Sequence, residues 1–256
     1  MTNAGARIWL DKALPILYRG SMYASRFPIG VSEGIENATV QQLKDFYKTW
    51  YRPDNMAIVF VGNIDIESFK EYIKTYLASI KPAQSYNITN KEFFRPKPAK
   101  KEIHMGNGDK SSVSLGWYVK ENYSQSLSAK TCVFEEYMNI ILTDHLRMKL
   151  GEIYYIAPVC LADMFLGELT MGGNFSCDPK NSKRLINVVI SDINNMAQSN
   201  IEKNILDKAK KACKTGWEKS IQDNFVIARG YVYMSVFNKD DFNVRPLYYD
   251  KVTPED

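Results

Sequence analysis

The apolar periodicity of this chain stops after Ile80 and resumes only near residue 101. The intervening stretch, KPAQSYNITNKEFFRPKPAKK, is rich in proline, lysine and asparagine and has no apolar face at helical or strand spacing. Such stretches are typical of connections between domains. The sequence therefore predicts two structural units, residues 1–81 and residues 100–256, joined by an interdomain linker at residues 82–99.

Composition and charge argue against two classes of partner. The 256 residues include 33 basic and 29 acidic side chains, and the net charge of +4 is too small and too dispersed for nucleic-acid binding. The densest basic run, RPKPAKK at residues 95–101, is interleaved with prolines and is interpreted as part of a solvated linker. No apolar stretch approaches the roughly 20 residues that cross a bilayer. We therefore expect neither a nucleic-acid partner nor a membrane span.

The first predicted unit contains two helices with clear start signals. Thr39 is a candidate N-cap, and Gln42 is placed to complete a capping box. Pro53 predicts the end of this helix, and Asp65 is a candidate N-cap for the next. The apolar face of the first helix comprises Leu43, Phe46, Tyr47 and Trp50. Between the helices, MAIVFVGNI at residues 56–64 is a continuous apolar run that predicts a strand covered on both faces.

The second predicted unit combines strands with longer helices. Strands are expected at residues 101–105, 111–119, 153–160 and 167–177, with the turn GNGD after the first. A helix is expected at residues 124–150 and a largely helical segment at about 201–238, and a third helix between them begins at the Asp178 cap. The apolar face of that third helix comprises Leu185, Val189, Ile193 and Met196.

Cysteine and histidine, the usual zinc ligands, occur at only six positions. The cysteines are Cys132, Cys160, Cys177 and Cys213. Because they are widely spaced and form no C-x-x-C pair, we interpret them as core thiols. His104 and His145 cannot form H-x-x-E-H or H-E-x-x-H, the motifs that present two zinc ligands one helical turn apart. His145 is expected to be packed and hydrogen-bonded, and no metal is expected to bind within this chain.

The stretch LRMKLGEIYY places an arginine and a tyrosine on either side of a glycine. Gly151 follows an apolar-periodic run and predicts the end of a helix, so Arg147 is expected on its last turn. Tyr154 is expected near the start of the following β-branched and aromatic strand. In one interpretation the two side chains form a site. In the other, Arg147 pairs with Asp144 on a solvated face and Tyr154 packs on the sheet.

Two features together resemble a known family. The segment SRFPIGVSEGIENATVQQLKDFYKTWYRPDNMAIVFVGNID resembles the middle part of the pitrilysin/insulinase zinc metallopeptidases. This inverted-motif family includes PqqL-type bacterial zinc proteases and relatives of mitochondrial processing peptidase. Arg147 and Tyr154 resemble, in type and spacing, the Arg/Tyr pair that one half of such an enzyme supplies to the zinc site of the other.

The resemblance implies an α+β fold with two related α/β sandwich domains of the pitrilysin/mitochondrial-processing-peptidase type. Residues 1–81 would be the C-terminal part of an incomplete first domain, and residues 100–256 a second domain truncated at its C-terminus. The ending VTPED agrees, because Thr253 and Pro254 are typical of a helix start. The zinc-binding H-x-x-E-H would lie upstream of residue 1, so zinc would be bound in the parent enzyme outside this chain.

The same resemblance implies a function. The chain would be the non-zinc-binding portion of a zinc metalloendopeptidase, inactive alone, which pairs with the zinc-bearing half or a partner subunit around a peptide or small unfolded polypeptide. Arg147 and Tyr154 would then donate hydrogen bonds to the oxyanion that develops during peptide hydrolysis. The bacterial periplasm is the expected compartment. The alternative is a non-catalytic scaffold, as in respiratory-complex core proteins that share the fold and lack the zinc motif.

Overall fold

The computed structural model of the chain describes residues 9–18, 24, 28, 30–82, 98–104 and 109–256. The chain divides into two compact units, residues 1–58 with 62–107 and residues 59–61 with 108–256. Most of the predicted linker, and the predicted turn GNGD except its last residue, lie outside the described residues. The domain boundaries at 81 and 100 stay a prediction.

Limited proteolysis of the chain tests those boundaries. We expect the first cut within residues 82–99, because proline-rich and lysine-rich composition is typical of exposed connections between domains. The measurement is the mass of the first two fragments at low protease concentration. First cuts inside residues 55–80 would place the boundary elsewhere.

The described part of the first unit is helical. Its elements are a π-helical turn at Trp9–Ala13, helices α1 (Leu14–Leu17), α2 (Ser32–Glu36) and α3 (Val40–Trp50), a 3-10 turn at Pro53–Asn55, and helix α4 (Ile66–Tyr76).

Both predicted start signals in this unit are confirmed. At the start of α3, the Gln42 backbone N–H donates to Thr39 Oγ1 at 3.2 Å, and the Thr39 N–H donates to Gln42 Oε1 at 2.8 Å. This is the predicted capping box. The helix ends before Pro53, as expected. At the start of α4, the Asp65 carboxylate accepts the Ser68 N–H at 2.9 Å.

The predicted strand at residues 56–64 is wrong, as is the one at 101–105 over its described residues, 101–104. A strand needs a neighbour to bond its N–H and C=O groups, and the described residues supply no partner strand to either segment. Met56, Ile58 and Phe60 are exposed rather than covered on both faces. The apolar composition of residues 56–64 suits burial, but no element among the described residues covers the exposed side chains of this segment.

The apolar face of α3 is also exposed. Val40, Leu43 and Tyr47 stand in solvent beside Lys44 and Lys48, where they line a shallow groove. The periodicity of this helix was predicted correctly, since the apolar side chains share one face. The described residues leave that face uncovered.

The second unit contains a three-stranded antiparallel sheet. Its strands are β1 (Ser111–Lys120), β2 (Ile153–Asp163) and β3 (Glu168–Cys177), arranged in the order β1–β3–β2. A tight turn joins β2 to β3, with Gly167 at a φ of +60° and the Asp163 carboxylate accepting two backbone N–H groups. The three strands predicted after residue 110 are therefore confirmed.

Helices pack against this sheet and against one another. They are α5 (Gln125–Leu142), α6 (Ser182–Gln198), α7 (Lys203–Ser220), α8 (Asn224–Phe237) and α9 (Asp241–Val244). A π-helical turn at Thr143–Lys149 continues α5, and 3-10 turns occupy Pro179–Asn181 and Arg245–Lys251. Of the helices that the structure describes, none is both long enough and apolar enough to span a bilayer.

The core of the second unit lies where α5 packs against β2 and α7. Met138, Leu142 and Leu146, at helical spacing along α5 and its π-helical turn, are buried. The four predicted apolar positions of α6 are also buried, namely Leu185, Val189, Ile193 and Met196. Burial of this face at 3.6-residue spacing is the main source of the helix's stability. The predicted α+β class is confirmed.

Candidate functional site

Arg147 lies in the π-helical turn Thr143–Lys149 that extends α5. Its neighbour Leu146 is fully buried and anchors the turn in the core, whereas Arg147 itself is exposed. Among the described residues, none forms a hydrogen bond or ion pair with its guanidinium. π-helical turns are rare in proteins, and many of those that occur within α-helices lie at functional sites. The sequence predicted a final helical turn here but gave no sign of its π form.

The alternative ion pair between Arg147 and Asp144 does not form. The Asp144 carboxylate lies 2.8 Å from the ammonium group of Lys149 and not beside Arg147. The hydrogen bond from Lys149 to Asp144 raises the pKa of the lysine. Asp144 is therefore engaged by another cation, and Arg147 is left available.

The predicted helix stop at Gly151 is confirmed. This residue has a φ of +66°, in the left-handed region that glycine adopts without strain. Backbone bonds close the helix end, because the Leu150 N–H donates to the His145 carbonyl at 3.0 Å and the Glu152 N–H donates to the Leu146 carbonyl at 3.2 Å. The chain then turns directly into β2.

Tyr154 occupies a β-bulge at the start of β2. Ile153 pairs with Cys177 and Tyr155 pairs with Ser176, so Tyr154 is the extra residue between two registered positions. Bulges redirect side chains and are over-represented beside active sites. The Tyr154 side chain is 51% exposed, so the interpretation in which it merely packs on the sheet is not supported.

Lys110, which no sequence pattern singled out, lies over the ring of Tyr154. The ammonium nitrogen of Lys110 is 4.3 Å from the centre of the tyrosine ring, within the range of a cation–π interaction. Lys110 precedes β1 and approaches Tyr154 only through the pairing of β1 and β2 with β3. A long-range contact of this kind leaves no signal in residue spacing.

Exposed apolar and aromatic side chains lie next to both residues in the sequence. We define the Arg–Tyr surface as Arg147, Met148, Leu150, Tyr154 and Tyr155. Met148 is 72% exposed, and the two tyrosines are about half exposed. No hydrogen bond joins Arg147 to Tyr154, so each donor is free to bind a third group. An exposed apolar surface that carries two donors is typical of a contact site.

A hydrogen bond and an ion pair hold the backbone on either side of Gly151. His145 Nδ1 lies 2.7 Å from the Asp192 carboxylate, and Glu152 pairs with Arg184. Asp192 and Arg184 both belong to α6, so the π-helical turn and the residues after it are tied to a second helix. The prediction that His145 is hydrogen-bonded is confirmed, but its side chain is 37% exposed rather than fully packed.

The described residues do not offer a zinc site. No group of three or more His, Cys, Asp or Glu side chains is placed among them to hold a metal ion. His104 is exposed, with its Nε2 3.6 Å from the Glu102 carboxylate. A catalytic zinc requires three protein ligands, so this part of the chain does not fit the ion that the family resemblance implies.

The comparisons with known proteins agree with one another. The family described as Peptidase M16 inactive domain matches residues 37–213 of this chain. A Haemophilus influenzae protein named probable zinc protease PqqL is 34% identical over 86 residues, which make up 34% of this chain and 9% of that protein. The match therefore covers less than a tenth of that relative's length.

Solved structures with the same fold are also known. A protease from Helicobacter pylori superposes with a TM-score of 0.72 at 17% identity, over 89% of this chain and 57% of that one. The first half of the periplasmic protease PqqL from Escherichia coli gives a TM-score of 0.71 at 17% identity, over 99% of this chain and 58% of that one. At this level of identity the likeness shows the fold alone.

Proposed function

This chain belongs to the peptidase M16 inactive-domain family, and we propose that it is the non-zinc-binding part of a zinc-dependent metalloendopeptidase. The match over residues 37–213 is the observation that carries the proposal. The Haemophilus influenzae relative, named as a probable zinc protease, supports it. Zinc would be bound in the parent enzyme by residues outside this chain.

Within that enzyme, we propose that Arg147 and Tyr154 stabilise the transition state of peptide hydrolysis. As the peptide carbonyl becomes tetrahedral, negative charge develops on its oxygen, and preorganised donors aimed at that oxygen are worth several kcal/mol each. A guanidinium and a phenol hydroxyl both donate hydrogen bonds. The support is geometric: Arg147 is exposed on a π-helical turn, and Tyr154 projects from a bulge.

The Arg–Tyr surface is also the proposed contact with substrate and partner. It combines two hydrogen-bond donors with exposed Met148 and Leu150, which suit the mixed polar and apolar surface of an extended peptide. The partner would be the zinc-bearing half of the same enzyme or a separate subunit. The uncovered apolar face of α3 would be covered by the rest of the first domain. The periplasm is the proposed compartment, since an Escherichia coli protein of this fold is described as periplasmic.

Metal analysis of the isolated chain tests the proposal that zinc is bound by residues outside it. We expect less than stoichiometric Zn²⁺ in protein purified without chelators, and no cleavage of unstructured peptides, because the described residues lack a three-ligand cluster. The control is the full-length parent, which should hold zinc and cleave the same peptides. One tightly held zinc per isolated chain would contradict the proposal. A full-length parent without zinc or peptidase activity would instead favour the scaffold.

A further inference from the structure

The packing of α5 against α7 brings two cysteines together. Cys132 on α5 and Cys213 on α7 are 81 positions apart in sequence, yet their sulfur atoms lie 2.9 Å apart. A disulfide bond is about 2.05 Å long, so the sulfurs need to approach by only roughly 0.9 Å. Both helices are in the second unit, and each is fixed by the same core.

We propose that Cys132 and Cys213 form a reversible disulfide that joins α5 to α7. The proposal rests on the geometry of the pair and does not depend on the proposed peptidase function. It assigns to this chain a redox modification site away from the Arg–Tyr surface, near the opposite end of the helix that leads to Arg147.

The two thiols differ in a way that sets the order of reaction. Cys132 is half-buried, whereas Cys213 is buried. The hydrogen bond with Cys213 lowers the pKa of the Cys132 thiol, and the Tyr249 hydroxyl and the Arg245 charge act in the same direction. The pKa of Cys213 is raised, first by its hydrogen bond with Cys132 and then by burial. Cys132 is therefore the thiol that reacts first with an external oxidant.

The oxidant is a small-molecule disulfide, here oxidised glutathione. The Cys132 thiolate attacks one glutathione sulfur, forming a mixed disulfide and releasing the other as a thiolate. Cys213 then loses its proton and attacks the Cys132 sulfur, which breaks the mixed disulfide and releases the second glutathione. Two protein thiols lose two electrons and two protons, and one glutathione disulfide becomes two glutathione thiols.

The other two cysteines provide internal controls. Cys160 and Cys177 are buried in β2 and β3, and no other thiol among the described residues lies within hydrogen-bond distance of either. Burial raises the pKa of the Cys160 thiol to about 12, and burial also raises that of Cys177. The same oxidant should leave both of them as free thiols.

Forming the bond should stabilise the second unit. A disulfide here closes a loop of 81 positions, and long loops are among those that gain most from a cross-link in the chain-entropy model. We expect the melting temperature in oxidised glutathione to exceed that in dithiothreitol by roughly 5–15 °C.

Mass spectrometry of the full 256-residue chain tests the proposal. After incubation with oxidised glutathione, we expect the intact mass to fall by two hydrogen atoms, and alkylation after denaturation to label two of the four cysteines. Non-reducing peptide mapping should link the peptide containing Cys132 to the one containing Cys213. Dithiothreitol should restore labelling of all four.

Matched variants separate this pair from the remaining thiols. Cys132→Ala and Cys213→Ala should each abolish the cross-link and the thermal shift, whereas Cys160→Ala should retain both. If a variant fails to fold, non-reducing peptide mapping of the wild-type chain alone shows whether Cys132 and Cys213 are linked. Four labelled cysteines after oxidation, a stable glutathione adduct on Cys132, or a cross-link through Cys160 or Cys177 would overturn the proposal.

Discussion

Changing Tyr154 to phenylalanine in the full-length parent enzyme is expected to lower kcat by about 100-fold, the effect of removing one oxyanion-hole donor. The melting temperature should not change, because the substitution removes only a hydroxyl that has no hydrogen-bond partner among the described residues. The ring keeps its position in the bulge and its contact with Lys110. Steady-state kinetics and thermal melts on the same preparations measure both quantities.

The neighbouring tyrosine supplies a matched control. Tyr155 is similarly exposed, but it pairs in register with Ser176 and does not occupy the bulge. Tyr155→Phe removes the same atom from the same surface. It should therefore leave kcat within a few-fold of the wild type. An equal loss of kcat in both variants would mean that the bulge position does not give the Tyr154 hydroxyl a special role.

Arg147→Lys tests the second donor in the same way. A lysine keeps the positive charge that suits a helix C-terminus, so the fold should be retained. It cannot reproduce the planar fork of guanidinium donors, so turnover should fall while the melting temperature stays constant. Unchanged turnover in both Tyr154→Phe and Arg147→Lys, or a fall in melting temperature large enough to explain lost activity, would return the pair to a structural role.

Local signals in this sequence predicted local structure well. The capping box of Thr39 and Gln42 and the helix stop at Gly151 formed as expected, because each depends only on residues within one turn. The apolar face of α6 was also predicted residue by residue. Helical spacing specifies which side chains share a face regardless of what the face contacts.

Features that depend on distant partners were not predictable in the same way. The apolar run at residues 56–64 lacks a partner strand among the described residues, and no property of the run itself reveals that. Lys110 reaches Tyr154 through strand pairing, and Cys132 meets Cys213 through helix packing. The candidate site was therefore predicted as a pair of residues, while its bulge, its π-helical turn and its third side chain came from the structure.

Gly172→Ala is expected to destabilise the second unit by about 3 kcal/mol, near the upper end of overpacking effects. Gly172 lies in the central strand β3, opposite Gly116 of β1 and Val159 of β2. A Cβ there would overlap the Leu115 carbonyl oxygen and would lie 2.9 Å from the Gly116 Cα. These are backbone atoms of a paired strand, so rotating a side chain cannot relieve the clash.

The same substitution at Gly216 should instead stabilise the second unit. Gly216 is in the interior of α7, and a Cβ added there would meet no atom within 4 Å. Alanine in a helix interior is favoured over glycine by about 1 kcal/mol. For a unit of this size, each kcal/mol shifts the melting temperature by roughly 2–4 °C. In dithiothreitol, which keeps the thiols reduced, the melting temperature of Gly172→Ala should therefore lie below that of the wild type and that of Gly216→Ala above it.

A Gly172→Ala variant that melts at the wild-type temperature would show that β1 and β3 are not as closely paired as the register requires.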